Sequence, residues 1–318
     1  MKIVLVEPLS ITQDKLNEFA ISLESLGHEF ISYDNKPSND DEYLVRAKDA
    51  EILMIANTPI PDAVIEQSTN LKLINVAFTG FDHVNVSLAS EKGIKVCNAS
   101  GYSNTSVSEL VIGLVLNIYR MIKESDNYTR AEKSHIDYYS GYEIKGKTVG
   151  IIGTGNIGLE TAKLFKAFGA KLIAYSRSIK EEGLALGIEY MSLEDVMKNS
   201  DIISIHLGLN DSTRGLIDEK MLSFMKPTAV FVNCARGPIV DNKALAKALN
   251  NDKLAYAAID VFDMEPPLEK DYPLLNSKNT LLTPHIAYLT NESMIRRADI
   301  AFNNTISFIE GNPKNLVN

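Results

Sequence analysis

Three polar side chains in the second half of the chain each follow an apolar run by a few residues. Arg236 stands in Asn233-Cys234-Ala235-Arg236-Gly237, Glu265 in Asp260-Val261-Phe262-Asp263-Met264-Glu265-Pro266, and His285 in Thr283-Pro284-His285-Ile286-Ala287. Groups of these types hold anions through a planar fork and move protons near neutral pH. Taken singly each is ordinary, because an arginine after a strand is usually a surface charge, Glu-Pro a turn, and Pro-His a strand end. Together, at successive strand ends, they fall outside the carboxyl edge of a parallel sheet, where ligands of open α/β folds bind.

The same edge receives a glycine turn. Thr148 to Ile152 is a short, β-branched apolar run that breaks into Gly153-Thr154-Gly155-Asn156-Ile157-Gly158 and then into a helical pattern, LETAKLFKAFGA. In a strand-turn-helix of this kind Gly153 permits the tight turn and Gly155 lets the backbone approach a pyrophosphate. Gly158 lets the helix pack close to the strand, so that free N–H groups at the helix start face the phosphates. A second strand, Lys171 to Tyr175, follows one helix later. The spacing therefore predicts dinucleotide binding.

The elements that must position these groups fill a chain of 318 residues, enough for two cores. A hydrophobic share of 45% with 23% charged residues excludes disordered and fibrous classes, and a net charge of −9 argues against general nucleic-acid binding. Cys97 and Cys234 stand far apart and in no C-x-x-C pair, which argues against a disulfide framework or a zinc site and fits a reducing cytosol. MKIVLVEP reads as a first strand without a signal-peptide layout, and the longest apolar stretch, Leu110 to Ile118, is too short to span a bilayer. A soluble cytoplasmic protein with no membrane partner is expected.

Residues 1–99 alternate strands at Ile3 to Val6, Ile52 to Ile55, Leu73 to Ala77 and Lys95 to Cys97 with helical patterns, one of them from Thr12 to Leu26. This predicts a small parallel sheet with no glycine fingerprint. A helical pattern runs from Val107 to Asn127, and residues 128–145 form either an arm with a subunit contact or a solvated loop. From Lys147 to Pro284 six strand candidates alternate with helices, the content of a doubly wound nucleotide fold. Asn291 to Glu310 is a lone amphipathic helix expected to return to the first domain.

The stretches TVGIIGTGNIG, NCARG, AAIDVFDMEPP and TPHIA, with AFTGFDHVNV and GYSNTSVSEL before them, resemble the D-isomer-specific 2-hydroxyacid dehydrogenase family over essentially the whole chain. The resemblance implies an α/β fold with a Rossmann-type doubly wound nucleotide-binding domain at 100–286 and a smaller flavodoxin-like substrate domain at 1–99 and 287–318. It implies hydride transfer from NAD(P)H to a small 2-oxo acid, giving the D-2-hydroxy acid, in a homodimer formed through the nucleotide-binding domain.

By the same resemblance Arg236 binds the substrate carboxylate and polarises its carbonyl, His285 donates the proton, and Glu265 orients that imidazole and raises its pKa. Asp260, Cys234 and Ala235 contact the nicotinamide end, Leu207, Gly208 and Thr213 line the adenosine side, and backbone N–H groups near Gly80 and Phe81 hold the carboxylate. His206 is read as a wall residue at a strand end, and His28, His83 and His135 as surface or packing residues.

Three departures from the family pattern carry information. After the second strand the ribose-binding acid of NAD-specific members is replaced by Ser176-Arg177-Ser178, which predicts a preference for NADP(H), since Arg and Ser bind a 2′-phosphate that an acid repels. Ala56-Asn57-Thr58 stands where phosphoglycerate-type relatives carry an arginine, pointing to an unphosphorylated acid such as hydroxypyruvate, glyoxylate or pyruvate. Tyr288 stands where many relatives have a small residue, either narrowing the pocket or turning away. Competing readings are a dinucleotide-sensing, corepressor-like interaction protein on the same fold and, among enzymes, a phosphoglycerate dehydrogenase.

Overall fold

The computed structural model describes residues 1–131 and 140–318. They form two compact units, Met1–Ser103 with Leu289–Asn318, and Asn104–Tyr288. The first boundary falls four residues later than the sequence pattern suggests because Tyr102 stays with the first unit. Its ring meets Phe78 edge-on at 5.8 Å, and its carbonyl accepts from Arg296 Nε at 3.0 Å.

In chain order the first unit supplies β1 (Lys2–Leu5), α1 (Gln13–Ser25), β2 (Glu29–Ser32), α2 (Asp40–Ala47), β3 (Ile52–Ile55), α3 (Asp62–Gln67), β4 (Leu73–Val76), α4 (Val86–Glu91) and β5 (Lys95–Asn98). The strands are parallel in the order β2-β1-β3-β4-β5. That order turns back between β1 and β3. β3 and β4 are buried at every position, as expected of parallel strands covered on both faces. The edge strand β2 escapes the sequence reading because its residues, Glu-Phe-Ile-Ser, are only half-buried or exposed and carry no continuous apolar run.

The second unit begins with α5 (Asn104–Arg120) and α6 (Ile122–Arg130), followed by β6 (Thr148–Ile152), α7 (Asn156–Ala167), β7 (Lys171–Tyr175), α8 (Glu181–Ala185), β8 (Glu189–Tyr190) and α9 (Leu193–Asn199). It continues through β9 (Ile202–Ile205), α10 (Glu219–Ser223), β10 (Val230–Asn233), α11 (Asn242–Asn250), β11 (Tyr256–Ile259) and β12 (Thr280–Leu282). Seven parallel strands take the order β12-β11-β10-β9-β6-β7-β8, a doubly wound sheet that reverses between β6 and β9.

Alternate residues feed the two faces of this sheet. Val149, Ile151, Val230, Val232 and Ala258 pack with α5 and α7, while Ile203, Ile205, Phe231, Ala257 and Ile259 pack with α9, α10 and α11. The two-residue β8 at the far edge is a strand that six apolar runs do not reveal.

The helical pattern read across Val107 to Asn127 is not one helix. Met121 takes a left-handed conformation, φ 47°, and α5 and α6 bend by 56° about it. The apolar stripe ends at Tyr119, and α6 buries no residue, so nothing holds the second half against the core that the first half packs on. Neither glycine nor proline marks the break. Of the expected arm, residues 132–139, with His135, lie outside the described residues. Among the described residues no single helix is long and apolar enough to cross a membrane; α5 with α6 has the length, but the apolar face of α5 lies in the core.

After Tyr288 the chain returns to the first unit as α12 (Asn291–Ile309), started by a capping box between Thr290 and Ser293. Phe302 on this helix stacks on Phe19 with ring centroids 4.1 Å apart, and the fully buried Asn75 of β4 donates to Ala301 O at 2.6 Å and Thr305 Oγ1 at 2.9 Å. The tail beyond it pairs with β5: Asn315 O accepts from Asn98 N, Leu316 bridges Cys97, and Val317 N donates to Val96 O.

A buried arginine ties α2 to β1. Arg46 lies over the Tyr33 ring at 4.2 Å and donates to Val6 O at 2.7 Å, to Asn35, and to Glu42. Bonds from the Ser38 hydroxyl and N–H, then from Arg46, hold the Glu42 carboxyl down at about 2 against an ordinary 4.5. A depressed carboxyl stabilises the fold above its unfolded pKa and loses that contribution as pH falls through its folded one. Glu42→Gln is therefore expected to melt below the parent protein at neutral pH, with the gap in Tm closing between about 4.5 and about 2. Thermal melts across that range check it.

Candidate active site

The second unit gathers its sequence-predicted polar residues at the carboxyl edge of one sheet. β6 runs into Gly153, whose φ of 99° excludes ordinary side chains, and a Cβ there would lie 2.5 Å from His206 O. A Cβ on Gly158 would lie 2.0 Å from Gly153 O, so turn and helix touch backbone to backbone. Gly155 is the N-cap of α7 and has open space around it. No side chain caps the helix, which leaves its first N–H groups turned outward, with Asn156 exposed and Ile157 half-buried beside them. Thr154, buried beneath, has a hydroxyl with no hydrogen-bond partner among the described residues. An open glycine cradle, an uncapped helix start and an orphan hydroxyl fit a dinucleotide's pyrophosphate.

Loops on both sides of this turn carry the remaining predicted contacts. Ser176 is half-buried, and Arg177 and Ser178 are exposed, just after β7, whose Tyr175 O accepts from Gly153 N at 2.8 Å. Leu207 and Gly208 follow β9, and Thr213 folds back on them, donating to Gly208 O at 2.8 Å and accepting from Asn210 N at 2.9 Å. His206 bonds Ser204 Oγ at 2.8 Å, and burial pushes its pKa down to about 3, so its imidazole is neutral.

Asn233, fully buried at the end of β10, sets the turn that bears Arg236. Its Oδ1 accepts from Ala235 N at 3.0 Å and its Nδ2 donates to Arg236 O at 3.0 Å. Arg236 is half-buried, with Nη1 donating to Ala235 O at 2.8 Å. A Cβ on Gly237 would lie 1.9 Å from Phe262 O, so this turn and the one after β11 are pressed together at a residue only glycine can occupy. Cys234 is buried and free, with its thiol pushed well up by burial and then by the charge of Asp260.

After β11 the segment from Asp260 to Glu265 is pinned at both ends. Tyr272 Oη and Asn242 Nδ2 donate to Asp263 at 2.9 Å each. Asp260, fully buried, accepts from Thr283 Oγ1 at 2.6 Å, Ile286 N at 2.9 Å and Ala287 N at 2.8 Å, and so clamps the loop after β12 from both sides of His285. Burial raises the Asp260 pKa, while those three donors and the nearby His285 pull it back.

His285 sits at φ 56°, a left-handed backbone that costs a non-glycine residue about 1–3 kcal/mol. Its Nδ1 lies 2.9 Å from each oxygen of Glu265. That pairing turns Nε2 away from the carboxylate. Tyr288 does not turn away: its ring meets the imidazole edge-on, with centroids 5.2 Å apart.

Arg236, Glu265 and His285 thus follow β10, β11 and β12, three adjacent strands, on the edge that also carries the glycine turn. Gly80 and Phe81 belong to the first unit, after β4, where their backbone N–H groups have no acceptor among the described residues. Sequence reasoning missed the pins, Asn233, Thr283, Asn242 and Tyr272. Asn233 and Thr283 had a signal, since each is a polar residue closing an apolar run.

Asp260→Asn leaves one acceptor oxygen and turns an NH2 towards a former donor. It is expected to lower the unfolding free energy by about 1–3 kcal/mol, measured by urea denaturation.

Comparison with known proteins gives a consistent picture. The model of the D-isomer specific 2-hydroxyacid dehydrogenase NAD binding domain matches residues 112–287. A glyoxylate reductase of Aeropyrum pernix is 40% identical over 293 residues, covering 89% of this chain and 87% of that protein. A hydroxypyruvate reductase of Blautia hydrogenotrophica is 36% identical over the whole of both chains. Among solved structures, an acyclic imino acid reductase in complex with NADPH and D-Arg superposes with a TM-score of 0.91 at 29% identity, covering all of both chains.

Proposed function

The chain belongs to the D-isomer specific 2-hydroxyacid dehydrogenase family, and from that premise we infer its chemistry from its own residues. It is an NAD(P)-dependent oxidoreductase that reduces a 2-oxo acid to the 2-hydroxy acid. One observation carries the assignment of roles: His285 is held through Nδ1 by both oxygens of Glu265, at the strand edge that also bears the glycine turn.

His285 Nε2 is the proton donor to the carbonyl oxygen, and the base in the reverse direction. Glu265 fixes the orientation of the ring, and a positive charge on the imidazole is compensated where it forms. Arg236 takes the substrate carboxylate in its planar fork and draws electron density from the adjacent carbonyl. The backbone N–H groups at Gly80 and Phe81 are further donors to that carboxylate. When bound, the nicotinamide supplies the hydride.

The residues that hold the dinucleotide are Gly153, Gly155, Asn156, Ile157 and Gly158 at the phosphates, Leu207, Gly208 and Thr213 on the adenosine side, and Cys234, Ala235 and Asp260 at the nicotinamide end. Ser176, Arg177 and Ser178, without an acid among them and with Arg177 exposed, favour NADP(H). In this reading Asn104–Tyr288 is the dinucleotide-binding domain and Met1–Ser103 with Leu289–Asn318 the substrate domain. The substrate is a small unphosphorylated acid of the hydroxypyruvate, glyoxylate or pyruvate kind, and the enzyme acts in the cytoplasm as a homodimer formed through the dinucleotide-binding domain.

A panel of 2-oxo acids followed at the nicotinamide absorbance band with both cofactors tests this. Turnover of glyoxylate or hydroxypyruvate is expected, and none with any acid would overturn the reading. His285→Ala should cut kcat by about a hundredfold to ten-thousandfold, and an unchanged rate would remove it from the mechanism. Arg177→Ala should lower the ratio of kcat/KM for NADPH to that for NADH by about tenfold, whereas a parent enzyme that prefers NADH would sink the cofactor preference.

A further inference from the structure

The loop that carries Glu265 is held at one point by two side chains that the roles assigned above do not use. Asp263, two residues before Glu265, accepts at Oδ1 from Asn242 Nδ2 and at Oδ2 from Tyr272 Oη, both at 2.9 Å. Tyr272 stands nine residues beyond Asp263 and is 5% exposed, so its bond closes the loop inside which Glu265 stands. Its ring meets Phe262 edge-on with centroids 5.7 Å apart. Burial, and then the bond to Asp263, push its phenol up, so it keeps its proton and stays a donor.

Asn242 reaches a second turn as well. It is 3% exposed, and its Nδ2 also donates at 3.4 Å to Gly237 O, in the turn that bears Arg236. Both neighbours are acceptors, so the NH2 end of the carboxamide faces them and each takes one of its hydrogens. The Oδ1 behind it is buried with no hydrogen-bond partner among the described residues. An orphan buried oxygen is costly, and a position needed only for packing is better filled by an apolar side chain. An apolar side chain cannot donate to two acceptors from one point. The start of α11 is itself fixed: Asp241 N donates to Ile217 O at 2.9 Å, and the Asp241 carboxylate caps the helix through Lys243 N and Ala244 N. The two turns are also in contact, because a Cβ on Gly237 would lie 1.9 Å from Phe262 O, and a shift in one therefore reaches the other.

We propose that Asn242 and Tyr272 are positioning residues that act through Asp263. They key the Glu265 loop to the Arg236 turn, so that the carboxylate directing the His285 ring and the fork for the substrate carboxylate are set as one piece. The inference rests on the roles given to Arg236, Glu265 and His285 in the reduction of a 2-oxo acid, and adds the residues that fix their spacing.

Asn242→Leu keeps the branched skeleton and removes both donors together with the orphan oxygen. A packing role predicts the kcat of the parent. The positioning role predicts a kcat about tenfold to a hundredfold lower, the effect of a displacement of order one ångström, while the Kd for NADPH, read by nucleotide fluorescence, stays that of the parent. Tyr272→Phe keeps the ring on Phe262 and loses only the bond to Asp263. It should show a smaller loss of the same kind, and it carries the test where Asn242→Leu folds poorly. In a Glu265→Ala background the kcat loss from either substitution should shrink to within about twofold, because no carboxylate is left to place. A loss that persists undiminished on top of Glu265→Ala, or a parent-like kcat in both single variants, would overturn the proposal and leave these bonds as loop buttresses. A parent enzyme that reduces no 2-oxo acid would instead overturn the reductase reading, and this proposal with it.

Discussion

A single buried carboxylate holds the reactive corner of the second unit in shape. His285 must sit in a left-handed turn to project its ring from the end of β12, and that backbone is unfavourable by about 1–3 kcal/mol. Asp260 counters it with bonds from Thr283, Ile286 and Ala287, each of a charge-assisted kind contributing about 1.5–3 kcal/mol. The sum exceeds the strain with enough left to offset part of the burial of Asp260 itself, whose raised pKa shows that the charge is held there at a cost. Glu265 then has only to rotate the ring, because the position of the backbone is already settled.

Much of this was legible before any coordinates. The glycine turn, the strand ends bearing Arg236, Glu265 and His285, and the returning helix all announce themselves through residue type and period. What escaped was structure without an apolar signature. β2 and β8 are edge strands with little burial to write into the sequence. The break at Met121 arises because core contact stops, and a period of apolar residues that happens to continue with Ile122 conceals that. The clamp made by Asp260 was hidden for a different reason: it acts on Thr283, Ile286 and Ala287, which the fold brings to it through bonds that no spacing rule encodes.

The two units use one architectural rule twice. Each has a parallel sheet that reverses direction once, between β6 and β9 in one and between β1 and β3 in the other, and each places backbone donors or buried acids beside that reversal. In the second unit the reversal carries glycine because backbone meets backbone there, at Gly153 against His206 O and at Gly158 against Gly153 O. In the first it carries the Glu7 carboxylate, which organises a loop by accepting from Ala56 N and Thr58 N. His206, just after β9 on the same edge as the glycine turn, is kept uncharged by burial.

The return of α12 has a consequence for how the chain reaches its native state. Residues 104–288 form one uninterrupted unit and can close on themselves as soon as they are made, whereas the first unit lacks a helix over β4 and a partner along β5 until residues 289–318 arrive. During synthesis the N-terminal sheet therefore waits, with the Phe19 side of its core open and one strand unzipped along its outer margin, through the translation of the entire intervening unit. The first unit is begun before the second and sealed after it, and that interval is when it is most open to chaperones and to mispairing with its own copies.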